Sequence, residues 1–144
     1  MIMNKVEEAL AYHKQGYNCA QAVACVFAEE LGIEEKEIFR MSEGFGFGMG
    51  TMGTCGAVSG MAIVAGLLNS DGNLKRPRSK PQTYKVTRTM SQEFQEKNSS
   101  IICKELKGVD TGEVLRSCSG CIADAVAIAE EYVKEKGAYD SASK

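Results

Sequence analysis

A single histidine, His13, serves the whole 144-residue chain, and that scarcity closes off several chemistries. No Ser-His-Asp arrangement can be built around it, and its place beside Tyr12 in the first helical stripe reads as helix packing rather than ligation. Basic residues are missing from another place: none occurs between Met41 and Asn73. The glycine-rich region therefore holds no GxxxxGK(S/T) phosphate loop. An excess of either charge is also lacking, since 17 Lys and Arg face 19 Asp and Glu. Neither a nucleic-acid surface nor an acidic solvating tail follows from that balance. Long apolar runs are absent too. The longest, Ala57 to Leu68, is too short and too rich in glycine to span a bilayer. The N-terminus, MIMNKVEEALAYHK, carries charge within its first eight residues and has no export-signal pattern. The expected compartment is the cytoplasm, with no membrane span.

What is present is helix. Val6, Leu10 and Tyr17 mark one apolar stripe, and Ala22, Val23, Val26, Phe27 and Leu31 mark a second, closed by Gly32. Glu34 to Met41 reads as a short helix, and Ala57, Met61, Val64, Ala65 and Leu68 define another. Ser70 to Pro81, with Lys75, Arg76, Arg78 and Lys80, reads as a solvated loop. A helix starts near Pro81, a short one covers Ile101 to Leu106 and ends at Gly108, and the last runs from Cys118 to Lys136 with Gly137 as its stop. The tail, AYDSASK, is expected to fray. No strand and no repeat emerges. The expectation is one all-α domain over residues 1–144, a compact bundle of about five to seven helices with a glycine-rich loop leading into a central helix.

That loop, GFGFGMGTMGTCGAVSG from Gly44 to Gly60, matches GxGxxG at Gly48, Gly50 and Gly53. A dinucleotide fingerprint needs a preceding buried strand and a βαβ unit, and this context supplies neither. The alternative is that Gly48, Gly50, Gly53 and Gly56 form one wall of a cofactor site around Cys55, with Gly56 and Gly60 letting a neighbouring helix approach.

Six cysteines, at 19, 25, 55, 103, 118 and 121, point to metal binding or redox chemistry when no export signal accompanies them. Cys19 follows Asn18, Cys55 follows Thr54 and Cys118 follows Ser117, all preferred N-cap types, and Cys103 falls soon after Ser100. At a helix start, free backbone N–H groups and the helix dipole favour the thiolate, the species that binds metal and attacks disulfides. Cys25, among Val23, Val26 and Phe27, reads as a buried hydrophobe. Cys118 and Cys121 form CxxC, the spacing of a dithiol oxidoreductase. Three readings stay open: an electron-transfer centre on four cysteines, a thiol-disulfide protein using Cys118 and Cys121 or Cys55, and a bundle stapled by zinc.

YNCAQAV, GFGFGMGTMGTCGAVSG, SIICKEL and CSGCIADAVAIAEEY together resemble the C_GCAxxG_C_C family of redox-active proteins over about Gly16 to Glu131. The strongest match is Cys55-Gly56-Ala57-Val58-Ser59-Gly60. The family's four cysteines fall on Cys19, Cys55, Cys103 and Cys118. The last is assigned by C-x-x-x-(I/V)-x-D-A, matched by Cys118, Ile122, Asp124 and Ala125. Cys25 and Cys121 lie outside the pattern. The resemblance implies a small helical redox protein and, through a similar domain in split-Soret cytochromes, an iron–sulfur centre, of 2Fe–2S type, and a homodimer working with a redox partner protein. No CxxCH occurs, so haem does not carry over.

Overall fold

The computed structural model describes residues 3–143, with side chains up to residue 136. Eight α-helices form among the described residues: α1 (Lys5–Lys14), α2 (Cys19–Cys25), α3 (Ala28–Leu31), α4 (Glu35–Ser42), α5 (Gly56–Asn69), α6 (Lys80–Asn98), α7 (Cys103–Lys107) and α8 (Cys118–Ser143). A 3-10 turn (Glu43–Phe45) and a π turn (Gly48–Met52) join α4 to α5. No strand forms among the described residues, so the all-α bundle expected from the periodicity is what the chain builds. None of these helices is long and apolar enough to cross a membrane.

The centre is α5. Its buried positions, Ala57, Val58, Met61, Val64 and Ala65, pack against α2, α6 and α8. Close approach to α2 depends on the small residues read from the sequence. A Cβ built at Gly60 would stand 2.8 Å from the Val23 Cβ and 3.1 Å from the Ala20 carbonyl oxygen. Beneath them lies a core of Phe27, Ile38, Met90, Phe94, Ile122 and Val126, each almost free of solvent. The apolar residues that stand out by their spacing are largely the residues that become buried.

Two boundaries differ from the sequence reading. The second apolar stripe is two helices, broken where Val26 and Phe27 separate α2 from α3. The Lys5 ammonium donates to the Val26 carbonyl at 2.8 Å and pairs with Glu30 at 2.6 Å, which satisfies the oxygen that the break sets free. At the other end, Gly137 does not stop α8, whose backbone stays helical to Ser143. One glycine costs a helix about 1 kcal/mol, which the turns before it tolerate. The side chains of the AYDSASK tail lie outside those described.

The α2–α5 contact yields a paired test. Gly60→Val should destabilise the fold by about 1–3 kcal/mol through overpacking against Val23. Gly66→Ala, in the same helix with nothing within 4 Å of its added Cβ, should be neutral or stabilise by about 0.4–1 kcal/mol. Urea denaturation of both variants measures the difference.

Candidate thiol cluster

Each cysteine of the cluster is placed by a local device at a helix start. Before α2, Asn18 and Gln21 close a capping box: the Gln21 N–H donates to the Asn18 side chain, and the Asn18 N–H donates to Gln21 Oε1, both at 2.9 Å. The Asn18 amide also donates to the Glu43 carbonyl at 2.8 Å, fastening the 3-10 turn to Cys19. Before α8, Ser117 acts as the cap, its Oγ accepting from the Gly120 N–H at 3.0 Å. Thr54 is not the cap expected for α5. The helix starts from Cys55 itself, and Thr54 instead forms an isolated antiparallel bridge with Ile102.

That bridge is what brings Cys55 and Cys103 together. The Cys55 N–H donates to the Ile101 carbonyl and the Cys103 N–H to the Gly53 carbonyl, both at 2.7 Å. Next, the Leu115 and Arg116 N–H groups donate to the Leu106 carbonyl, at 2.9 and 3.3 Å, and this draws the segment before Cys118 back onto α7. Arg116 reaches across to Asp124 at 3.2 Å, and Asn98 donates to the same carboxylate. Asp124, part of the motif that marks Cys118, is therefore the anchor for the approach to α8.

The result is a cavity of about 200 Å³ whose walls include Cys19, Cys55, Cys103, Cys118 and Cys121. Five of the six cysteines meet there, from the starts of α2, α5, α7 and α8. Cys25 stays in the core, its thiol donating to the Glu35 carbonyl at 3.8 Å. Of the glycines read as a wall, Gly56 lines the cavity. Gly48, at φ +58, leaves only 3.0 Å between an added Cβ and the Cys103 Cβ, and Gly53 holds Cys103 by its carbonyl. Gly50 is not among the residues lining the cavity, and nothing lies within 4 Å of a Cβ built on it.

Lys107, Arg116, Phe47 and Leu106 line the cavity without having been singled out by the sequence reading as part of a site. Lys107 and Arg116 give the cavity two cations, and no carboxylate lines it. Phe47, half exposed and at φ +55, presents its ring to the Lys107 ammonium at 5.3 Å. His13 also lies on the wall. Its Nδ1 is 2.9 Å from the Tyr17 carbonyl oxygen, which can only accept, so Nδ1 carries the proton in that contact.

The thiols do not all respond to their helix starts as expected. Only Cys55 is held below the ordinary thiol range, at about 7: the Cys121 thiol donates to its sulfur, and the Ala57 and Val58 N–H groups and the Lys107 charge assist. Cys121 is pushed up as the donor in that pair and by burial. Burial, then the Cys118 and Cys55 sulfurs, push Cys19 up to about 12, and burial raises Cys103 against the pull of Lys107. At Cys19 and Cys103 desolvation outweighs the helix dipole. Among the described residues, no group of three or more His, Cys, Asp or Glu side chains is already placed to hold a metal ion.

Comparison with known families now bears on this cavity. The family model described as "Putative redox-active protein (C_GCAxxG_C_C)" matches residues 17–132. The chain belongs to the C_GCAxxG_C_C family. Among curated proteins and solved structures no match is found. The match runs from Tyr17, two residues before the first cavity cysteine, to Tyr132, and so takes in all five. Within the matched region five cysteines scattered along this sequence share one pocket.

In reduced, metal-free protein, alkylation at Cys55 should rise with pH through about 7, as the thiolate forms. Cys121→Ala removes the donated hydrogen bond and should move that midpoint upwards, towards the ordinary value of about 8.5. Peptide mass spectrometry after timed iodoacetamide pulses reads both. An unmoved midpoint in the variant would show that Cys121 does not set it.

Proposed function

We propose that Cys19, Cys55, Cys103 and Cys118 hold an iron–sulfur centre, 2Fe–2S, and that the protein transfers electrons through it to a partner protein. The observation that supports this most is convergence: four helix starts deliver four thiols to one cavity, where a simple dithiol would need two. Thiolates are the donors such a centre takes, and the walls add no competing carboxylate. Among the described residues no three such side chains are already placed to hold an ion, so loading a centre would require the thiols to move. Bound there, the centre would supply one-electron transfer.

The chain's own residues have definable parts in this. The Ala57 and Val58 N–H groups donate to the Cys55 sulfur, and Lys107 places positive charge beside Cys55 and Cys103. Both stabilise added negative charge, which raises a reduction potential. Leu106 and Phe47 give the wall apolar surface that limits water.

Protein made anaerobically, or reconstituted with ferrous iron and sulfide, should be coloured and carry iron and acid-labile sulfide in equal amounts. Serine at any of the four positions should abolish or strongly reduce that loading, while Cys25→Ser should retain it. Lys107→Met should lower the potential in a spectroscopic redox titration. Colourless protein filled with zinc under the same anaerobic conditions would overturn the assignment.

A further inference from the structure

Charge is spread unevenly along this nearly neutral chain. Between Glu43 and Glu93 there is one carboxylate, Asp71, against six cations: Lys75, Arg76, Arg78, Lys80, Lys85 and Arg88. That span carries +5 in a chain whose total is -2. All six cations are exposed, and none makes an ion pair among the described residues. Four of them, Lys75, Arg76, Arg78 and Lys80, sit in the loop that joins α5 to α6.

The loop is closed by its own hydrogen bonds. The Asp71 carboxylate accepts from the Asn73 N–H at 3.0 Å and the Arg78 N–H at 3.2 Å, while Ser79 Oγ accepts from the Asp71 N–H at 3.0 Å. Asn73 Oδ1 takes the Lys75 and Arg76 N–H groups, at 3.2 and 3.0 Å. Inside this frame Leu74 is left 96% exposed, more than any other large apolar residue described, and Tyr84, at 59%, shares a groove with it and Pro77. An apolar side chain held out in water between cations does nothing for the fold of the free protein.

We propose that the loop at residues 70–80 docks the protein on an anionic phospholipid surface, with Leu74 entering the interface and Lys75, Arg76, Arg78 and Lys80 meeting headgroup phosphates. Cations alone would fit any polyanion; Leu74 decides between them. An anionic bilayer offers charge at the level of the cations and an apolar phase just beneath, without needing a pocket shaped to one leucine. A single apolar anchor binds such a surface weakly, and pairing it with a polybasic patch makes the contact hold. Tyr84 suits the headgroup level, where one end of the ring is apolar and the other wet. The contact is peripheral, since no helix among the described residues is long and apolar enough to cross a membrane. It also leaves the thiols open. α5 begins with Gly56 at the cavity and ends at Asn69, directly before the loop, and 14 residues of helix set the two about 20 Å apart. Docking therefore stands whatever the cavity holds.

The chain has no tryptophan, so full-length Leu74→Trp carries a single reporter at the tip of the loop. Titrated at low salt with vesicles of equal parts phosphatidylcholine and phosphatidylglycerol, its emission should shift to the blue and be quenched by brominated lipid; vesicles of phosphatidylcholine alone should do neither. With the unmodified Leu74, co-sedimentation should show binding that is released by about 0.5 M salt. Arg76→Gln and Arg78→Gln together should weaken it on the order of 25-fold, about fivefold for each charge. Leu74→Ser should weaken it roughly tenfold at unchanged charge, and Lys36→Gln, the same loss of charge on exposed α4, should leave it unchanged. Protein that stays in the supernatant with anionic vesicles, equal binding to phosphatidylcholine alone, or an unshifted emission from sedimented Leu74→Trp overturns the lipid contact. Duplex DNA bound more tightly than the anionic vesicles, and released by the paired arginine substitutions, overturns it in favour of a nucleic-acid surface.

Discussion

Two backbone hydrogen bonds carry the geometry of the site. Cys55 N–H to Ile101 oxygen and Cys103 N–H to Gly53 oxygen form a bridge two residues wide, and through it the starts of α5 and α7 lie side by side. In a bundle of helices this is the one place where the described chain pairs as strands do. The pairing requires extended backbone at Thr54 and Ile102, so α5 cannot start earlier than Cys55. It also requires the chain leaving α4 to double back sharply, and the cost shows at Phe47, Met49 and Met52, all at positive φ without being glycine. Left-handed backbone costs such residues about 1–2 kcal/mol each. Strain of this kind persists only where surrounding structure fixes it, and here it borders the thiols.

The electrostatics of the cluster come from competition between two effects of the same placement. A helix start offers N–H donors and a partial positive charge, worth about 0.3–1 kcal/mol to an exposed anion. Gathering several such starts around one cavity also buries the sulfurs beside one another, and both desolvation and proximity disfavour more than one thiolate. The outcome is division of labour. Cys55 takes the negative charge because it has a thiol donor, two N–H donors and Lys107, whereas Cys19, Cys103 and Cys121 hold their protons. Such a cavity favours a thiolate-binding or thiol-reactive guest, since either allows the remaining thiols to ionise or react in turn.

The fold was legible wherever spacing reports burial. Helix starts at Asn18 and Ser117, αL stops at Gly32 and Gly108, and the small-residue face of α5 all follow from local chemistry that the structure repeats. The break at Val26 was hidden because its freed carbonyl is satisfied by Lys5, far away in sequence. The Thr54 cap was misread for a similar reason: a threonine before a helical pattern looks alike whether it caps or pairs with a distant Ile102. Of the site, the four cysteines of the pattern could be read from their flanking residues. Lys107, Arg116 and Phe47 could not, because each reaches the cavity through a bend whose direction only tertiary hydrogen bonds determine. The C-x-x-x-(I/V)-x-D-A motif carried an unread message, since its Asp124 holds the Arg116 that walls the pocket.

The fifth thiol shows most clearly what spacing does and does not convey. Residues three apart on a helix share a face, so CSGC suggests two sulfurs that meet each other. At the start of α8 that face is directed into a junction of three other helix starts, so both thiols line the same cavity as Cys19, Cys55 and Cys103. A group with four ligands leaves one of five thiols over. In the proposed centre the one left over is Cys121, which lies about a turn further into α8 than Cys118. Its thiol is also the first cause that holds the Cys55 sulfur below the ordinary thiol range.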